Sequence, residues 1–196
     1  MSETSRRELL RNIAFGVMTG AVSLEAAQHV HNLAATDSVA GGAYKPKAFT
    51  EHEYATLEKL ADWIVPADDR SPGATEAGAP AFIDLLSSQN PELAAIYTGG
   101  IAWLDREMDK RYGHDFLGAQ AAQQSAMLDL IAYRKNETPE LAPGIRFFDW
   151  ARRMVVDAFY TSPIGVKDVG YMGNTAVAKF EVPPEVSDYV AKGSPV

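Results

Sequence analysis

The side chains able to do chemistry in this chain are few and poorly arranged. There are four histidines and no cysteine in 196 residues. Without cysteine there are no disulfides, thiolate zinc sites, Cys-ligated iron–sulfur clusters or CxxCH haem attachments. His29 and His31 are two apart, and on a helix such side chains diverge rather than converge on one metal. Both read as surface residues. Glu51-His52-Glu53 comes nearest to a di-iron ligand set, but that chemistry needs Glu-x-x-His pairs on two helices. Asp68-Asp69 invites a metal or acid–base reading. In a Gly/Pro/Ala-rich loop with no third ligand the pair reads as turn-forming. Asp105 and Asp109 alternate with Arg106 and Lys110, the pattern of a solvated helix face. His114-Asp115 follows Gly113 at a helix end and reads as a cap. No HExxH, GxSxG, GxGxxG or Walker loop occurs. The expectation is therefore no catalytic, cofactor-binding or metal-binding residue in this chain.

Composition narrows the partners. The net charge of −8 argues against nucleic acid and against anionic lipid, both of which need clustered Lys and Arg. Hydrophobic residues make up 46% of the chain, enough for a real core. No apolar run reaches the roughly 20 residues of a membrane helix.

The elements that would position these residues begin with an N-terminal segment of distinct character. Ser5-Arg6-Arg7-Glu8-Leu9-Leu10-Arg11 is similar to the twin-arginine export consensus, with Leu for Phe and Arg for Lys. Residues 12–24 follow as a short, diluted apolar stretch that suits a signal core. A small-x-small cleavage site stands at Ser38-Val39-Ala40. Residues 1–40 thus read as a leader exported by the twin-arginine route, with Arg6 and Arg7 as its address. The competing reading is a retained amphipathic helix from about Arg7 to Ala35.

The body, 41–163, reads as all-α, a small domain of about five helices. Thr50 with Glu53 makes a capping box, Phe49 and Tyr54 suit a hydrophobic staple, and Pro66 stops the helix. Further helices are expected over 80–88, 91–113, 119–135 and 145–163. Asn90-Pro91 has the residue types of an N-cap and first helical position, and Gly99-Gly100 marks a kink or a close contact. After Pro163 the helical period stops. Residues 164–196 read as a long irregular extension, glycine- and proline-punctuated yet carrying Tyr171, Met172, Val177 and Phe180. That combination suggests a segment that wraps a surface, its own or a partner's.

Two blocks carry a resemblance to a known family. One runs from Leu57 to Pro66, "LEKLADWIVP", and on through Asp68 and "SPGATEAGAPAFID". The other is "FFDWARRMVVDAFYTSPIGVKDVGYMGN", 147–174. With the twin-arginine leader, they make the chain resemble the gluconate 2-dehydrogenase subunit 3 family. The resemblance implies a non-catalytic small subunit that escorts, stabilises and exports a larger GMC-type subunit holding FAD. It also implies a periplasmic destination and electron transfer to a c-type cytochrome carrying haem c. Oxidation at C2 of gluconate or at C3 of glycosides both lie within what it implies. The residues alone leave two other readings open, a stand-alone periplasmic binding or scaffold module and a helical metal-dependent oxidase. For a partner interface the sequence offers Trp63 beside the acidic loop, and Tyr171, Met172, Asn174 and Phe180 of the tail. Trp63 and Phe180 suit a core equally well.

Overall fold

Local capping sets the helix starts. The computed structural model describes residues 6–19, 23–41, 44–171, 186–187 and 192. Thr50 closes a capping box at the head of α3 (Glu51–Ile64). Its hydroxyl accepts from the Glu53 amide at 3.2 Å, and the Glu53 carboxylate accepts from the Thr50 amide at 2.8 Å. Gly78, at φ 79°, precedes α4 (Ala79–Ser87), with Pro80 in its first turn. Asn90 caps α5 (Pro91–Tyr112) by accepting from the Glu92 and Leu93 amides. Gly113, at φ 77°, ends α5 in the left-handed conformation.

α6 (Ala121–Ile131) and α7 (Ala142–Thr161) complete the five expected helices. α6 is shorter than its sequence suggests. A 3-10 turn at Arg134–Asn136 follows it, and the Asn136 amide donates to the Asp129 and Leu130 carbonyls of the helix end. α7 begins earlier than expected because Pro143 falls in the first turn, where a missing N–H costs nothing.

Two further helices precede this set, α1 (Arg6–Thr19) and α2 (Leu24–Gly41). Another follows it. The expectation of irregular chain straight after Pro163 is corrected, since Pro163–Asp168 forms α8. Ser162 caps it by accepting from the Gly165 amide at 3.0 Å, and Pro163 fills the first position. Ser162-Pro163 therefore repeats the logic of Asn90-Pro91. Among the described residues the fold is all-α, and no helix is long and apolar enough to cross a membrane.

α4 is the centre. All nine of its residues are buried, and α1, α2, α3, α5 and α7 pack around it. A helix apolar on every side must be covered on every side. Among the described helices α5 and α7 share the most extensive contact, joined through glycine notches. A Cβ on Gly100 would sit 2.0 Å from the Phe147 ring, and one on Gly144 would sit 2.0 Å from the Trp103 ring. The expected close contact at Gly99-Gly100 is thus real, and Gly100 makes it.

Candidate partner interface

The acidic loop is a built turn. The Asp68 carboxylate accepts from the Arg70 and Ser71 amides at 2.8 and 2.9 Å. Those bonds hold its pKa below the ordinary carboxylate value. The loop folds back on the end of α3 through Ala74 N–H to the Val65 carbonyl, 2.9 Å, and Thr75 hydroxyl to the Glu58 carbonyl, 3.1 Å. Gly73 lies so close to that end that a Cβ would meet the Ala67 nitrogen at 2.9 Å. Asp68 is a turn former, as its setting suggests, and Asp69 beside it is exposed.

Trp63 stands next to this loop, half-buried on α3. Its indole N–H donates to Gln124 Oε1 at 3.0 Å, and buried Gln124 donates in turn to the Phe116 carbonyl at 2.6 Å. The polar handle of Trp63 is committed inward, while part of its ring stays open. Of the other residues named from the sequence, Tyr171 is exposed at the end of the 44–171 segment. Met172, Asn174 and Phe180 lie outside the described residues. Arg6 and Arg7 open α1. The structure thus sets Trp63 on α3 and Tyr171 just beyond α8.

Several groups have more structure around them than sequence reasoning assigned. Asp84 is fully buried in α4, and both its oxygens accept hydrogen bonds. Oδ2 takes the Tyr44 hydroxyl and the Lys47 amide, each at 2.8 Å. Oδ1 takes the Ala48 and Phe49 amides at 2.9 and 3.1 Å. This one carboxylate clasps the whole approach to α3. Burial, then the Asp84 charge, raise the Tyr44 hydroxyl well above the ordinary tyrosine value. The available signal was a lone acid inside the apolar run "AFIDLL".

Asp105 is not simply solvated. Its Oδ2 meets His52 Nε2 at 2.7 Å and its Oδ1 accepts from the Phe116 amide at 3.0 Å, tying α3 to α5 and to the loop beyond it. The hydrogen bond to Asp105 raises the His52 imidazole above its ordinary value. Asp115 caps the same loop by accepting from the Gly118 amide at 2.6 Å. His29 is exposed as expected, but His31 is buried, a correction to its surface reading. The two side chains do point apart, and the inner one meets the core.

One apolar surface was not foreseen. A groove of about 380 Å³ runs between α5 and α7, lined by Ile96, Trp103, Phe147 and Trp150, with Arg146 on its wall. Arg153 stacks over the Trp150 ring, 5.3 Å from its centroid. Among the described residues the Trp150 indole N–H has no hydrogen-bond partner. Its two tryptophans sit on different helices, so no linear pattern marks them.

No group of three or more His, Asp or Glu among the described residues is placed to hold a metal ion. The class this fold defines is a small all-α domain built around one central buried helix. The sequence matches the family described as Gluconate 2-dehydrogenase subunit 3 over residues 51–178, more than half of the chain. The chain belongs to that family, and so to the small subunits of a sugar dehydrogenase complex. The matched span runs from the first residue of α3 to beyond α8, with α1 and α2 outside it. No curated protein and no solved structure matches the chain.

Proposed function

We propose that this chain is a non-catalytic small subunit that escorts, stabilises and exports a FAD-dependent, GMC-type sugar or glycoside dehydrogenase. Family membership over residues 51–178 is the observation that carries the reading. In it the FAD belongs to the large subunit, and a c-type cytochrome accepts the electrons. The twin-arginine pair Arg6-Arg7 supplies the address, and the complex works in the periplasm. The residues of this chain then serve contact rather than chemistry. Trp63, Tyr171, Met172, Asn174 and Phe180 are the proposed contact set, with Trp63 and Tyr171 as its anchors, since Trp and Tyr are typical of interface hot spots.

Co-expression tests this directly. The large subunit is produced with and without this chain, and its solubility, flavin content and periplasmic yield are measured. All three are expected to fall without the small subunit. Unchanged values would overturn the escort role. Replacing Arg6 and Arg7 by lysine should leave the complex assembled but retain both subunits in the cytoplasm.

A further inference from the structure

α2 lies outside the family match, yet it is built into the same core. Ala27, Val30, His31 and Ala34, spaced as one helix face, are all buried. They belong to a helix packed on α4 and α7. The His31 ring lies 4.7 Å from the Phe82 ring of α4, and its Nε2 meets Thr161 Oγ1 of α7 at 3.3 Å. At the other end of α2, Asp37 pairs with Lys47, whose own amide sits in the Asp84 clasp. α2 also has its own beginning, because the Ser23 hydroxyl accepts from the Ala26 amide at 3.2 Å.

These contacts bear on where a leader could be cut. The small-x-small site at Ser38-Val39-Ala40 lies inside α2, which runs to Gly41. Proteolysis favours exposed loops over packed helices. Cutting there would also remove one wall of α4, whose nine residues are all buried. A second small-x-small triplet, Thr19-Gly20-Ala21, stands just ahead of the Ser23 cap.

We propose that α2 is a permanent wall of the mature protein, and that any removable leader ends before Leu24. The proposal does not depend on the escort role. It holds whether the address on α1 is used, cleaved or ignored.

The deciding measurement is the intact mass and N-terminal sequence of the chain purified from the compartment where it accumulates. An N-terminus at or before Leu24 is expected. One at any later residue, Gly41 above all, overturns the proposal. A second measurement uses that same purified protein. Val30→Ala should lower Tm by about 4–8 °C, while Asn32→Ala on the exposed face should leave it nearly unchanged. Equal Tm values for the two variants would also overturn it.

Discussion

At the residue scale, His31 offers the clearest test. Its hydroxyl partner Thr161 donates to the Asp157 carbonyl at 2.7 Å, so the imidazole Nε2 must be the donor in the contact between them. Burial lowers the imidazole to about 4, with a backbone bond to Ala158 opposing. The folded state therefore prefers the neutral ring, and its contribution is complete above the ordinary histidine pKa. It is lost as pH falls toward the folded value. Stability should drop by about 2 kcal/mol between pH 7 and pH 5 from this group. Urea midpoints across that range check it, and His31→Leu should flatten the profile. His52 acts with the opposite sign, since its raised imidazole supports the fold only while protonated, and that support fades as pH rises through its folded value.

At the scale of elements, the α5–α7 crossing depends on two missing side chains. Gly100→Ala gains the usual helix preference of alanine but drives a methyl into the Phe147 ring. Overpacking of this kind costs about 1–3 kcal/mol, against roughly 0.5–1 kcal/mol gained in propensity. A net loss of Tm is expected, whereas Gly99→Ala, with open space around it, should raise Tm slightly. Thermal unfolding of the two variants separates the effects.

Helix starts were legible in the sequence because caps are local: Thr50 with Glu53, and Asn90 with Pro91, announce themselves within four residues. Ser162-Pro163 carried the same information and was outweighed by the glycines that follow. Asp84 and His31 were harder to read. What decides each is a partner 35 or more positions away, Phe49 and Tyr44 for one and Thr161 for the other. The α5–α7 groove was harder still, since its walls come from separate helices. On the candidate interface, the turn role of Asp68 followed from its own neighbourhood, whereas the inward bond of Trp63 to Gln124 did not.

At the scale of the whole molecule, the central position of α4 ties five helices to one another. None of those five helices can leave α4 without exposing apolar surface. Urea unfolding followed by tryptophan fluorescence and by far-ultraviolet circular dichroism should therefore trace one coincident transition. Trp63, Trp103 and Trp150 lie on α3, α5 and α7, so the fluorescence samples three of those elements at once. A separate early step in one probe would show that the elements around α4 are less interdependent than their packing indicates.

The same centre gives the chain a clock. α1 lays Leu10, Ile13 and Ala14 into the buried core, packing chiefly on α4 and also on α2. α4 is not fully enclosed until α7 has been made. At about 5–20 residues per second, synthesis from α1 to the end of α7 takes on the order of ten seconds. During that interval the helix headed by Arg6 and Arg7 has no finished seat. Once α7 closes the core, it does. The arginine pair at the head of α1 therefore passes through two conditions, loose on a growing chain and docked on a finished one, and their order is written into the order of the helices.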